Sequence, residues 1–520
     1  MAREGARELN DPPPDYNPRW GGGSRTERFT SSVGQWLGVV DRNEGGWDQV
    51  GTMPRSSRSG YYELTGNPSD SEGEVTERQS RARRTLRYVR GKLSRQQQRE
   101  EAMSTLPTFR PWFTVLISVV TIGLFIAVCI TDGIAPISFT PKQHYGLVED
   151  FNGQQVPVTR EDTANFFIGP SGSDLIHHGA KFSPCMRSDS RLDLAIQQCK
   201  NEEILYKCCQ STNDYCGMMP SDRCSNDSIV GGLTACENPP SGRCQNGISI
   251  RPCCLGSTGQ CVLTTRQNCS FYDGVWHGDK LLCHHTILDC LRGVCELTWS
   301  SSTFSGSNPN QWYRLIIAVF MYNGVIQLVI LLAIQLYFCY KIERRIGWLR
   351  IFLIYMISGV GGYLTSCIFD PDTVGTGPCG ALYGLLGVQL VELVQSWKYI
   401  NHPFLELIKL LINVIVLLVI GLLPYIDNFA NIGGFVFGVL SSFIFVPYIS
   451  IGKWDRITKL CLISIALPTI VILYLFGFIV FFNIQDGDFC SWCHYLNCIP
   501  ITDNFCDGFD LSSFYQQSPS

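Results

Sequence analysis

Three things are scarce in this chain, and each scarcity is local. The chain carries 24 cysteines, yet none lies in the first 128 residues. Residues 460–520 contain no lysine or arginine, whereas residues 78–110 contain ten. Charged residues make up only 17% of the whole against 45% hydrophobic, and long uncharged apolar runs crowd the second half. The low charge excludes a single soluble globule. The lopsided basic charge excludes a uniformly basic nucleic-acid binder, and the formal net charge of −4 is only an average over these extremes. The cysteine-free start, set against fifteen cysteines between Cys185 and Cys295, points to a reducing compartment for the first region and an oxidising one for the cluster. The polar N-terminus has no signal-peptide apolar core, so the first apolar segment is expected to act as an uncleaved anchor.

Residues 1–110, rich in Gly, Pro, Ser, Arg and Glu, read as a disordered cytosolic region with a candidate helix over 82–102. Its basic stretches Arg55–Ser59 and Arg81–Lys92 read either as phosphorylation and docking sites or as a tail that holds anionic membrane lipids. Residues 111–131 form the first expected span, with the basic run before it fixing the N-terminus in the cytosol. Residues 132–311 then fall on the lumenal side. Dense cysteines agree with this, as do the sequons Asn226-Asp227-Ser228 and Asn268-Cys269-Ser270. Disulfides rather than zinc are expected there, engaging Cys185, Cys208, Cys209, Cys253, Cys254, Cys261 and Cys269. Fifteen is odd, so one cysteine of the cluster is free or pairs outside it. No metal or cofactor is called for.

Six further spans are expected at 312–340, 350–369, 379–397, 404–424, 429–449 and 457–482, all within a core of residues 312–482. Basic loops alternate with loops free of Lys and Arg, which gives an N-in, C-out topology. The tail 483–520 is then lumenal, with disulfides expected at Cys490, Cys493, Cys498 and Cys506.

The chemistry centres on Gly375–Gly387, GTGPCGALYGLLG, a polar turn running into an apolar helix with Gly380 and Gly384 on one bare face. A second small-residue face, Gly434 and Gly438, lies in DNFANIGGFVFG, Asp427–Gly438. The two stretches resemble the paired helices of a rhomboid intramembrane protease. The resemblance places the nucleophile position at Cys379 and the general base at Asn431. It places the oxyanion donors at Tyr322, Gln327 and Leu331, spaced i, i+5, i+9 on one helix. Asn431 is an amide and takes no proton near neutral pH. All eight histidines (His144, His177, His178, His277, His284, His285, His402, His494) lie outside the expected spans. Asp427, at a helix start, reads as a cap. Glu392 reads as a carboxylate near the cytosolic edge rather than an intramembrane site, and Glu406 with Lys409 as an interfacial pair.

Longer stretches narrow the resemblance. Gly169–Cys185, Arg251–Cys269, Val391–Trp397, Gly421–Ala430, Phe445–Asp455 and Cys490–Cys506 are similar to the inactive rhomboid (iRhom) family, as is Pro378 before the nucleophile position. The resemblance covers about residues 105–510. Vertebrate-type members keep alanine at the nucleophile position and the histidine, so Cys379 with Asn431 is a distinct loss. The implied fold is an all-α polytopic membrane protein, a rhomboid-like bundle of seven transmembrane helices with a cysteine-rich lumenal domain between the first two. The implied role is that of a pseudoprotease adaptor. It would promote trafficking and activity of an ADAM-type metalloprotease, and hence EGF-receptor ligand or TNF shedding, or retain EGF-like ligand precursors for degradation. FERM-domain and 14-3-3 proteins are the implied cytosolic partners. The implied location is the endoplasmic reticulum membrane, with the Golgi and plasma membrane as further stations. The alternatives are a thiol-type intramembrane protease using Cys379 and a seven-helix receptor. An ectodomain placed after the first span argues against the receptor.

Overall fold

The computed structural model describes residues 108–138, 142–162, 164–256, 259–298, 304–305, 308–397, 400, 402–422, 426–447, 453–483, 493 and 496. The basic stretches, the candidate helix at 82–102, His494 and Cys490, Cys498 and Cys506 lie outside them.

Among the described residues, six helices are long and apolar enough to cross a membrane. They are α1 (Trp112–Asp132), α2 (Val325–Ile346), α3 (Trp348–Phe369), α5 (Pro403–Ile420), α6 (Asn428–Phe445) and α7, spanning Lys453–Asn483. The seventeen-residue apolar helix α4 (Cys379–Gln395) sits at the centre and is buried almost throughout its first turns. The helices α3, α4 and α6 form the packed heart of the bundle, while α5 leans chiefly on α4 and turns most of its apolar side chains outward.

The heart is close because it lacks side chains where helices cross. A Cβ on Gly380 would lie 2.8 Å from the Ala430 carbonyl oxygen, and one on Gly362 would lie 2.5 Å from the same atom. Cβ atoms on Gly434 and Gly438 would collide with the backbone of Gly380 and Gly384. Two rows of glycines therefore let α4 and α6 touch backbone to backbone. The turn from α2 to α3 uses Gly347 at φ +90°, a conformation open to glycine, while its N–H donates to the Glu343 carbonyl at 2.8 Å.

The second span does not begin at 312 as the apolar pattern predicts. Residues 314–320 make one short helix and a 3-10 turn, residues 321–324 are non-helical, and α2 starts only at Val325. The reason lies elsewhere in the chain. The first N–H groups of α2, those of Val325 and Ile326, donate to the carbonyls of Ile168 (3.0 Å) and Phe167 (3.2 Å). A helix N-terminus needs such acceptors, and Ile168 is held at φ +61° at this point. That is a strained geometry for a β-branched residue.

The cysteine-rich region adds strands, which a purely helical description omits. Beyond a hairpin (Lys142–Glu149 with Gln155–Asp162), it holds two three-stranded sheets centred on Tyr206–Gln210 and Ile250–Cys254. Each central strand carries an adjacent cysteine pair. Neighbouring residues of a strand face opposite ways, so each pair staples both faces of its sheet. Cys208 bonds Cys236 and Cys209 bonds Cys224; Cys253 bonds Cys269 and Cys254 bonds Cys290. Cys185–Cys295, Cys216–Cys244 and Cys261–Cys283 complete seven bridges. The odd cysteine is Cys199, buried and free. Burial, helped by the Glu203 carboxylate, pushes its thiol up to about 12, so it stays protonated and inert. Cys208, Cys216 and Cys244 cluster within reach of one ion, but all three are in bridges. Cys493 is also disulfide-bonded. Asn226 stands exposed, whereas Asn268 is half-buried with its amide donating to Thr264 Oγ1 at 2.6 Å.

Candidate functional site

The loop before α4 is pinned from every side. Gly377, at φ +104°, donates its N–H to the Ala318 carbonyl (3.0 Å), and its own carbonyl accepts from the Tyr363 hydroxyl (2.7 Å). Pro378 then caps α4, and Cys379 is its first residue, 5% exposed. A Cβ on Gly377 would lie 3.3 Å from Gln327 Nε2, 3.5 Å from Leu331 Cδ1 and 3.7 Å from Cys379 Sγ. The fold thus gathers Gln327, Leu331 and Cys379 around one glycine.

Tyr322 departs from the expected arrangement. It precedes α2 in the non-helical segment and shares no helical face with Gln327 and Leu331. The Phe167 and Ile168 carbonyls that start α2 at Val325 are the cause. Gln327 itself is committed to the backbone. Its Oε1 accepts from the Asn323 N–H (2.9 Å) and its Nε2 donates to the Thr376 carbonyl (3.4 Å). Leu331 offers no donor, so the three positions supply a side-chain amide already in use, a phenol off the helix, and an alkyl group.

The residue expected at the base position is committed in the same way. Asn431 is 1% exposed, and its Nδ2 donates to Asn428 Oδ1 at 3.0 Å. Asn428 Nδ2 in turn donates to the carbonyls of Leu418 (3.2 Å) and Leu496 (2.8 Å). The amide is one link of a structural chain of hydrogen bonds. Asp427 caps α6, accepting from the Ala430 N–H at 3.0 Å, and also accepts from the Ser366 hydroxyl. Lys181 Nζ stands 3.8 Å from its Oδ2. The contact of Gly380 with Ala430 brings the Cys379 and Asn431 ends of the two helices to one level. Among the described residues, no histidine lies in α1–α7.

What surrounds this place is intact and strongly built. Arg314, completely buried, donates to the carbonyls of Ile176 (2.6 Å), Ala180 (3.0 Å) and Cys295 (3.1 Å) and to Gln311 Oε1 (2.7 Å). It fastens both ends of the cysteine-rich domain to the start of the core. Glu343, also buried, accepts from the N–H groups of Phe113 and Thr114 (both 2.8 Å) and from the Thr114 hydroxyl (2.6 Å). Its charge sits at the positive end of α1 and fixes that helix against α2. Lys459 does the converse for α6, donating to the carbonyls of Phe443 and Val446 at its C-terminal end (both 2.7 Å). Glu392 meets Arg345 at 2.5 Å and Glu406 meets Lys409 at 2.8 Å, so these are partly exposed pairs at helix ends. Lys181 is the residue that sequence reasoning missed. Its one signal is a lysine in an otherwise uncharged run, GAKFSPC.

The glycine-paired helices α4 and α6, the start of α4 at Cys379 and the buried Arg314 and Glu343 all lie within one stretch of the chain. A family model described as the rhomboid domain matches residues 309–448. Inactive rhomboid protein 1 of Homo sapiens is 34% identical over 460 residues, covering 78% of this chain and 52% of that protein. The corresponding protein of Danio rerio is 35% identical over 459 residues with the same coverage. Inactive rhomboid protein 2 of Homo sapiens is 31% identical over 471 residues, covering 79% and 54%. The chain spans about half the length of these curated relatives. It belongs to the inactive rhomboid family.

Proposed function

We propose that this chain is a rhomboid-like pseudoprotease that binds membrane clients without cutting them. The observation that carries the reading is the pairing of an intact scaffold with a dead centre. On the rhomboid resemblance Cys379 and Asn431 stand where the nucleophile and base would be, and Asn431 is tied into a structural hydrogen-bond chain. The glycine contacts that hold α4 to α6 are complete. The thiolate is the nucleophile, and an amide at 431 cannot take the Cys379 proton to form it. A thiol protease using Cys379 has no observation in its favour.

The topology in this reading is N-in, C-out. The seven disulfides and the sequons Asn226 and Asn268 then lie in the lumen, and Arg345 with Glu392 at the cytosolic edge. The clients are proteins with single transmembrane helices. Two roles fit the family: escorting an ADAM-type metalloprotease from the endoplasmic reticulum towards the cell surface, with effects on EGF-receptor ligand or TNF shedding, or retaining EGF-like ligand precursors for degradation. The cytosolic N-terminal region would take FERM-domain and 14-3-3 proteins, and anionic membrane lipids. The test is affinity purification of the tagged chain in mild detergent followed by mass spectrometry. The expected result is recovery of a metalloprotease in the first role, or of EGF-like precursors with degradation machinery in the second. Recovery of no membrane protein would overturn the adaptor reading.

A further inference from the structure

Residues 179–191 belong to the cysteine-rich domain, tied to it by the Cys185–Cys295 bridge and to Arg314 through the Ala180 carbonyl, and lie across the loop 370–378, immediately before Cys379. The fit is extensive. Lys181 and Gly375 exchange two backbone hydrogen bonds, each 3.0 Å, as an antiparallel bridge. The Ser183 N–H donates to the Pro371 carbonyl at 3.2 Å. The Lys181 side chain is wholly buried, donating to the Asp370 carbonyl (2.5 Å) and Thr373 Oγ1 (3.2 Å) beside Asp427. Arg191 forms a two-pronged bond to Asp372 at 2.7 and 2.8 Å. Arg187 donates to the Phe481 carbonyl near the end of α7 and lies over the Phe481 ring.

We infer that this segment is a strap that holds the loop edge beside Cys379 closed, and that a client's extended segment gains the edge only when the strap lifts. An unpaired backbone edge is what an extended peptide adds to. Here Lys181 already satisfies both bonding groups of Gly375. The anchors are unlike ordinary packing. A buried lysine is costly to desolvate, and its pairing contributes little net stability compared with an apolar side chain of the same size. Such a group earns its place as a register device, since a lysine that fits only one set of acceptors fixes the strap in one position. The outer end is different in kind: Arg191 and Asp372 are each partly exposed, whereas residues 180–187 are all buried. The inference rests on the client-binding reading, since a strap has meaning only where something else takes the edge.

The test uses the full chain in lipid nanodiscs and a charged maleimide as probe, with modification at Cys379 read by mass spectrometry of its peptide. The unaltered chain is expected to react slowly. The double variant Lys181→Met with Asp427→Asn removes both charges together, leaving neither stranded, and is expected to raise the rate at least tenfold. Asp372→Asn, which touches only the outer anchor, is expected to give a smaller rise, so a fold defect in the double variant does not remove the test. A synthetic single-span peptide with a photo-crosslinker in its extended segment is expected to label residues 374–377 in the variants and not in the unaltered chain. Equal maleimide rates in all three proteins, or equal crosslinking with the strap in place, would overturn the inference. Failure of the adaptor reading is distinguishable, because the maleimide rates require no client.

Discussion

Replacing Arg314 by alanine is expected to lower the unfolding midpoint of the purified protein by about 10 °C. That corresponds to roughly 4 kcal/mol for the unfolding of a unit of about 150–250 residues, the size of the helical core. The size follows from what the guanidinium holds. It makes four hydrogen bonds at 2.6–3.1 Å, three of them to backbone carbonyls with no exposure to water. Bonds to a charged group contribute about 1.5–3 kcal/mol each, and an acceptor left buried without a donor costs about 1–3. The sum exceeds the expectation because neighbouring groups relax and because removing a buried charge recovers desolvation. Arg314→Lys keeps the charge but presents its donors from one point, so it cannot reach carbonyls on Ile176, Ala180 and Cys295 at once. It is expected to recover less than half of the loss. Fluorescence-detected size exclusion after heating gives both midpoints. Midpoints within 2 °C of the unaltered chain would show that the cysteine-rich domain docks on the core by other means.

Gly434→Ala is expected to be nearly as damaging, although it adds one methyl group. The new Cβ would overlap the Gly380 carbonyl of α4, so relief requires moving two helices apart. Overpacking of this kind costs about 1–3 kcal/mol where side chains can yield. Here both neighbours are backbone, and the upper end or beyond is expected. The matched control is Gly123→Ala on α1, where a Cβ meets nothing within 4 Å. That substitution is expected to be neutral or to stabilise by up to about 1 kcal/mol, from helix propensity alone. The pair separates close helix contact from helix propensity, and the same heating assay reads both. Equal effects would mean that the α4–α6 contact is not what holds the heart together.

The helices were legible because their signals are local. Apolar length placed α3, α4, α5 and α6 within a few residues of their observed ends. Asp427 announced itself as a cap because it stands just before a small-residue helix. Tight glycine spacing pointed to Gly380, Gly384, Gly434 and Gly438, and a Cβ on each of them would fall 2.1–2.8 Å from a neighbouring atom. What local signals could not carry was anything decided by a distant partner. Residues 312–324 are as apolar as a helix, but α2 begins at Val325 because two carbonyls from Phe167 and Ile168 receive its first N–H groups. No pattern within 312–340 records that. The same holds for Lys181, whose partners Asp370, Thr373, Gly375 and Asp427 are nearly two hundred residues away or more. Disulfide partners are hidden for the same reason, although the paired cysteines in the two central strands make physical sense once the strands are known. The altered site, by contrast, was readable from identity alone. Asn431 cannot act as a base in any fold, and Leu331 cannot donate a hydrogen bond.

Whether Cys379 does chemistry decides whether this chain is a pseudoprotease. The purified full chain, reconstituted in liposomes with a fluorescent single-span peptide, answers this in one assay when binding and cleavage are both followed. The expected result is retention of the intact peptide, with no product above the lipid-only control and no change on Cys379→Ala. Cleavage of the peptide that disappears in the Cys379→Ala protein would contradict the account.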